Sequence, residues 1–394
     1  MQPRTSVKTP SIWTSLRKGP LKVCIVGSGN WACAISRIVG QNVEKCYFFE
    51  RIANMWVYDE LVDGQKLSHI INTTHENKKY MPGIKLPENI RAVPDLLEAV
   101  KGAHVLVFVV PHQVWTSGLA LHAVRWECLQ TIGRLEFRPG ARAVSLIKGF
   151  EGDGEHINLI SEHVKSALGI ECSSLSGANV ADSVAREEFC ETTIGYENFE
   201  SAQILQELFD APYFRVSCVP DVAGVEICGA LKNVVALAAG FCDGLKLGSN
   251  TKAAIMRIGM NEMRHFAYSF YDGIVDDTFW DSAGFADVIT SCMGGRNRKC
   301  AEEFVKSGMS WKEIEEKSLG GQKLQGTGTA RAVYGFLDAR KRVADFPLFS
   351  IVYNIVVGVA SPKALIEVFS IAPKAEIKIR PVPTSGNSQI RSKM

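Results

Sequence analysis

The sequence has no C-x-x-C pair among its 11 cysteines and no H-x-x-x-H among its histidines. Spacing that would hold a zinc ion is therefore missing. The scattered, odd-numbered cysteines read as reduced thiols of a reducing compartment, several of them core fillers. Charge of one sign is also missing: 44 Lys and Arg against 42 Asp and Glu leave a net +2. So weak a field indicates neither nucleic acid nor an anionic membrane surface as a partner. Met1 to Pro20 lacks acidic residues and lacks an apolar run. That excludes a secretory signal more firmly than an organellar transit peptide, and 1–20 reads as a flexible extension. No uninterrupted apolar run approaches the roughly 18 to 20 residues that span a bilayer. No repeat of fixed period is present.

What is present is an ordinary globular chain of 394 residues, 46% hydrophobic and 22% charged, which suggests two to three domains. Val23, Cys24, Ile25 and Val26 form a β-branched and apolar run that breaks at Gly27-Ser28-Gly29. An apolar helical pattern follows at Ala32, Ile35, Ile38 and Val39. Further strands are predicted at Met55 to Tyr58, Val105 to Val110 and Ala143 to Ile147, with short ones at Ser174 to Ser176, Thr192 to Gly195 and Phe214 to Cys218. Strands alternating with helices predict an α/β fold: an N-terminal Rossmann-type, doubly wound, mostly parallel sheet. After Pro220 the pattern turns helical, with Asp221 as N-cap of about twenty helical residues. Helices are also predicted at Thr251 to Tyr271, Arg298 to Lys306, Thr329 to Lys341 and Phe349 to Val357. The expected division is a dinucleotide-binding domain over 21–218, an all-helical C-terminal domain over 219–372 and a flexible tail over 373–394. The tail is rich in Pro, Ser, Gly and Asn and ends in Ser392-Lys393-Met394, a variant of the S-K-L peroxisomal address. The expected location is cytoplasmic, with that organelle as the alternative.

Gly27, Ser28, Gly29, Asn30, Trp31 and Ala32 fit G-x-G-x-x-A. The first glycine permits the tight turn, the second lets a pyrophosphate approach the backbone, and the small third residue lets helix and strand pack. The helix N-terminus then offers unpaired N–H groups and a positive dipole to phosphates. Asp59 and Glu60, just past the second strand, are placed to accept ribose hydroxyls and to repel a 2′-phosphate, which favours NAD over NADP. Solvated loop acids are the other reading.

Candidate chemistry lies further along. Val225 to Gly240 is apolar on nearly every face, so its helix is expected to be buried, and Lys232 and Asn233 interrupt it. A buried lysine loses hydration and its pKa falls toward a range useful for proton transfer. A lysine that snorkels outward or pairs with Glu226 is the alternative. Asp287, Thr290 and Ser291 share a helical face, where an acid can orient an ammonium or simply cap a helix. In Gly294-Gly295-Arg296-Asn297-Arg298-Lys299, glycines precede cations whose planar forks suit phosphate oxygens, or the segment is a basic loop facing water. Lys148 stands at the exit of the Ala143 to Ile147 strand, the side on which open α/β sheets bind ligands. Gln322 to Gly326 follows Gly320 and Gly321, as a mobile lid or a plain connection would.

Taken in order, these segments resemble the NAD-dependent glycerol-3-phosphate dehydrogenases of the eukaryotic cytosolic type. The blocks that carry the resemblance are VCIVGSGNWA, NTTHENKKYMPG, FVVPHQ, SLIKG, GANVA, CETTIG, VEICGALKNVVALAAGFCDGL, GGRNRK and GQKLQG, spread from about Lys22 to Val357. The resemblance implies reversible reduction of dihydroxyacetone phosphate to sn-glycerol 3-phosphate with NAD as cofactor, a small-molecule phosphate substrate, and a homodimer. It implies Lys232 as general acid/base with Lys148 and Asp287 completing the catalytic set. It also implies Lys148, Asn233, Arg296 and Asn297 at the substrate. Gly27 to Ala32, Tyr58, Ala181, Arg296, Lys323 and Gln325 would line the NAD site. Three positions depart from the pattern. Ala32 stands for a usual glycine, Ser291 for a threonine, and Val114 for an aromatic near the cofactor. Trp115 to Gly140 is longer than usual. Two other readings are a dehydrogenase of another hydroxy acid and an NAD-sensing regulatory protein; the first lacks a use for the GGRN segment and the second for a proton-transfer lysine.

Overall fold

The computed structural model describes residues 19–110, 129–135, 137–149, 151–152 and 156–370. The expectations for the first 18 residues, Val114, much of Trp115 to Gly140 and Ser392-Lys393-Met394 lie outside the described residues.

Eight strands form one sheet: β1 (Val23–Val26), β2 (Ala53–Trp56), β3 (Ile90–Val93), β4 (Val105–Phe108), β5 (Arg142–Ser145), β6 (Glu171–Ser176), β7 (Cys190–Gly195) and β8 (Phe214–Val219). Their spatial order is β3-β2-β1-β4-β5-β6-β7-β8, and every neighbouring pair is parallel except β6 with β7. The first six strands thus follow the 3-2-1-4-5-6 order of a doubly wound sheet. The chain winds outward from β1 to β3, then returns to place β4 on the other side of β1. The carboxyl ends of β1 and β4 therefore flank the point where the order reverses, the crevice in which such sheets bind ligands.

Side chains alternate across each strand and both faces are covered. Val23 and Ile25 of β1 enter one core with α1 (Asn30–Lys45), while Cys24 and Val26 enter the opposite core. Helices α2 (Leu67–Thr74), α3 (Leu96–Val100), α4 (Ile160–Leu168), α5 (Ala181–Ala185) and α6 (Phe199–Phe209) complete the connections. A third core is helical and is centred on α7 (Val222–Gly244). Around it run α8 (Ser249–Phe270), α9 (Asp277–Trp280), a π-helical turn (Ser282–Ala286), α10 (Asp287–Gly294), α11 (Arg296–Ser307), α12 (Trp311–Leu319), α13 (Gln325–Ala339), α14 (Pro347–Val356) and α15 (Ala364–Ser370). Beyond Val222 no strand occurs among the described residues.

Helix α7 is long and apolar enough to cross a membrane, but 89% of its most apolar window is buried inside the protein, so it is a core helix. Asp221 caps it as the sequence predicts, accepting from Gly224 N at 2.6 Å. Three expectations are corrected. The strand β3 is not among those predicted; Arg91 breaks its apolar run. The strand β5 ends at Ser145 and not at Ile147, so Lys148 stands further past its exit than expected. Arg296, Asn297 and Gln325 begin helices instead of occupying loops, because Gly295 and Leu324 are already N-cap positions.

Candidate active site

At the exit of β1, Gly27 takes φ +129, which side chains avoid, and a Cβ there would lie 2.5 Å from Val109 O just past β4. The first glycine is thus demanded by the chain itself, where the two strands part. Gly29 is different: its φ of −70 suits any residue, and a Cβ on it would meet nothing within 4 Å. The space it keeps clear faces the N-terminus of α1, which has no side-chain cap and no acidic residue in its first turn. Free N–H groups, a positive dipole and room for close approach suit a pyrophosphate. Ser28 and Ala32 are buried, Trp31 is half-buried and Asn30 is exposed, donating to Tyr80 O at 3.1 Å. NAD fits this turn through the backbone of Gly27 to Ala32.

Asn77 holds the turn in place, a role the sequence does not reveal. It is fully buried, its Nδ2 donates to Ser28 O at 2.8 Å, and its Oδ1 accepts from Tyr80 N at 3.1 Å. Its partner Ser28 is 49 residues away, so no local pattern marks it. Tyr58 is exposed just after β2. Asp59 and Glu60 already have internal partners on every carboxylate oxygen: Ser68 and Lys66 for the first, Tyr80 and Lys79 for the second. The preference for NAD therefore does not rest on an unengaged carboxylate there.

The lysines and Asp287 converge. Helix α7 brings Lys232, the segment after β5 brings Lys148, and the start of α10, straight after the π-helical turn, brings Asp287. Lys232 Nζ lies 2.5 Å from Asp287 Oδ1 and Lys148 Nζ lies 2.7 Å from Asp287 Oδ2. Lys148 also donates to Gly177 O at 2.8 Å. One carboxylate, 2% exposed, thus holds two ammonium groups. Burial pulls the Lys232 ammonium down from 10.5 to about 8; the Asp287 carboxylate opposes the fall and Lys148 adds to it. Of the options left open for Lys232, the pairing with Glu226 is not the one adopted. Glu226 instead accepts from Ile160 N and from Ser161, at the first turn of α4.

Asn233, the next residue on α7, accepts at Oδ1 from Asn297 Nδ2 at 2.9 Å. Asn297 Oδ1 in turn accepts from Gly326 N at 2.8 Å, which ties the start of α13 to the same corner. Arg296 is exposed at the start of α11 and donates to Gln322 Oε1 at 3.3 Å. Lys323 is bound to Glu315 at 3.0 Å, and Glu315 also accepts from Leu324 N at 2.9 Å, so a buried acid anchors the segment from Gln322 to Gly326. Gln325 and Ala181 are half-buried at the first residues of α13 and α5. Ser291 is buried one turn after Asp287. A buried lysine poised near neutrality, held by a shared carboxylate, can give or take a proton at a carbon–oxygen centre.

Comparison with known proteins agrees with this chemistry. The family model for the N-terminus of NAD-dependent glycerol-3-phosphate dehydrogenase matches residues 22–202, and that for the C-terminus matches 221–367. A glycerol-3-phosphate dehydrogenase 1-like protein of Danio rerio is 51% identical over 338 residues, 85% of this chain and 93% of its own. The cytoplasmic NAD(+) glycerol-3-phosphate dehydrogenase of Drosophila melanogaster is 48% identical over 93% of this chain and 99% of its own. The structure of the Plasmodium falciparum glycerol-3-phosphate dehydrogenase superposes with a TM-score of 0.85 at 42% identity, covering 92% of this chain and 99% of that one. With the whole described body, glycine turn and lysine–aspartate centre accounted for, the chain belongs to the NAD-dependent glycerol-3-phosphate dehydrogenase family.

Proposed function

We propose that in this NAD-dependent oxidoreductase Lys232 is the general acid/base for interconverting dihydroxyacetone phosphate and sn-glycerol 3-phosphate: dihydroxyacetone phosphate + NADH + H⁺ gives sn-glycerol 3-phosphate + NAD⁺. NAD, when bound, supplies or takes up the hydride. In reduction the Lys232 ammonium gives its proton to the carbonyl oxygen as that oxygen becomes a hydroxyl; in oxidation the neutral amine removes it. Asp287 orients both ammonium groups, and Lys148 lends positive charge to the oxygen on which negative charge develops. Asn233, Arg296 and Asn297 hold the phosphate and glycerol portions, Arg296 through its fork. Tyr58, Ala181, Arg296, Lys323 and Gln325 line the NAD site beside the glycine turn. The observation that carries the reading is the shared carboxylate: Asp287 holds Lys232 at 2.5 Å and Lys148 at 2.7 Å in a buried position.

The same proposal includes a sheet domain over 21–218, a helical domain over 219–372, a homodimer, and a cytoplasmic location; the names of the Drosophila relatives support the last. The test follows NADH oxidation by absorbance with dihydroxyacetone phosphate, for wild type and Lys232→Ala. Wild type is expected to turn over with NADH and far less with NADPH. The variant is expected to lose roughly a hundredfold or more in kcat while still binding NADH. Full activity in Lys232→Ala would overturn the assignment.

A further inference from the structure

Gly229 lies in the middle of α7, outside the set of glycines with positive φ. A glycine there costs the helix about 1 kcal/mol relative to alanine and gives the backbone nothing it needs. Its use is space. A Cβ at Gly229 would stand 2.8 Å from Ser176 Oγ, closer than real Cβ contacts come, while its next neighbours, Lys148 Cγ and Ser176 Cβ, would be at an ordinary 3.6 Å. The obstacle is therefore a single oxygen atom. Ser176, the last residue of β6, is 2% exposed, and its Oγ has no hydrogen-bond partner among the described residues. A buried hydroxyl with no partner is unfavourable, so Ser176 is not explained by polarity either. The two small residues meet where the lysines are held. Gly177, next to Ser176, supplies the carbonyl that binds Lys148 Nζ at 2.8 Å. Lys232 follows Gly229 by three residues, on the same side of the helix.

We infer that Gly229 and Ser176 are a size-matched pair that sets how closely α7 approaches the exit of β6, and through that approach the separation of Lys232 from Lys148 across Asp287. Both are positioning residues. The inference rests on the proposed roles of the two lysines. Pushing α7 outward at Gly229 draws Lys232 away from the carboxylate it shares with Lys148, and misplacement by about 1 Å can cost on the order of a hundredfold in rate.

The test uses the full chain with Gly229→Ala, Ser176→Ala and the double variant. Three quantities are read: kcat with dihydroxyacetone phosphate, its dependence on pH, and the Kd for NADH by fluorescence. Gly229→Ala is expected to lose roughly tenfold or more in kcat and to shift the pH dependence, with NADH affinity unchanged. Ser176→Ala, which only opens space, is expected to cost much less. The double variant is expected to recover most of the lost kcat and the wild-type pH dependence, because removing Oγ makes room for the new methyl. Should Gly229→Ala fail to fold, Ser176→Thr crowds the same contact from the strand side and is expected to lower kcat in the same way. Wild-type kcat in the crowded variants, or a double variant no better than Gly229→Ala, overturns the inference. Full activity in both Lys148→Ala and Lys232→Ala overturns the catalytic reading itself, and the inference with it. If those two variants are inactive and the rescue fails, the inference alone falls.

Discussion

At the scale of single residues, the centre depends on opposing influences on one ammonium. Burial pulls Lys232 down, the Asp287 carboxylate pulls it back up and Lys148 pushes it down again, which together leave it at about 8. The consequence for rate has a definite sign. As a general acid in reduction, Lys232 must be protonated, so the rate is expected to fall as pH rises through about 8. As a general base in oxidation it must be neutral, so that rate rises over the same interval. Asp287→Asn removes the influence that favours the ammonium, so both limbs are expected to move to lower pH. Rates of both directions measured from pH 6 to 10 test this; a limb that stays in place or moves up would contradict the arrangement. Little of the centre can be read from neighbouring residues in the chain. Lys232 is conspicuous as an ion inside an apolar helix. Its partner Asp287 is 55 residues away and looks like an ordinary helix-start aspartate until the fold brings the two together.

At the scale of elements, the strand–turn–helix of β1 and α1 separates what the chain needs from what a ligand needs. Gly27→Ala forces a Cβ against Val109 O at 2.5 Å and demands a φ of +129, so it is expected to lower Tm by several degrees and weaken NADH binding together. Gly29→Ala meets no atom of the protein and strains nothing, so Tm is expected to stay near wild type while the Kd for NADH rises roughly tenfold, about 1.4 kcal/mol. Thermal melts and fluorescence titration of the two variants distinguish these outcomes; equal losses of stability would refute the distinction. This element was legible because its signals are local: a β-branched run, glycines at fixed offsets and an apolar helical face. Helix α12 is equally local, since Ser310 and Glu313 form a reciprocal capping box at its start, yet it is absent from the predicted helices. Arg296 and Asn297 fall outside the predicted helix, which starts at Arg298, for the opposite reason. The glycines before them suggested an open backbone, whereas a Cβ at Gly295 would meet Ser291 O at 2.6 Å, so that glycine serves the close junction of α10 with α11.

For the whole molecule, Glu226 is a link that local patterns cannot show. It sits on α7 of the helical core and accepts from Ile160 N and Ser161 at the start of α4, which packs on the sheet. Burial lifts its carboxyl to about 7 against the hydrogen bonds that favour the charge. A carboxyl raised in the folded state takes up its proton at higher pH there than in the unfolded chain. Its contribution to stability is therefore present below about pH 4.5 and is lost as pH rises through about 7. Glu226→Gln keeps an acceptor and cannot ionise. The stability of wild type relative to this variant is expected to decline between pH 5 and pH 8 in paired thermal melts, and a rising or flat difference would count against it. Glu226→Ala leaves buried N–H groups unpaired, at about 1–3 kcal/mol each, and is expected to melt lower than Glu226→Gln throughout.

The sequence by itself determined the fold class, the glycine turn, the apolar helix with its lysine and the order of the segments, because each depends on a period or an offset within a few residues. Parallel pairing was implied by the alternation of strands and helices, since parallel strands require crossovers, whereas the spatial order of the strands came from the tertiary structure. The resemblance implied Asp287 beside the lysines, and the tertiary structure showed one carboxylate holding both; it alone decided that Asn77 pins the glycine turn, that Glu226 caps a helix instead of pairing with Lys232, and that Gly229 faces Ser176. These pairs all lie from 49 to 139 residues apart. Their meeting depends on how far each helix may approach the sheet, which is set by side chains packing at distances of a few ångströms and leaves no trace in the spacing along the chain.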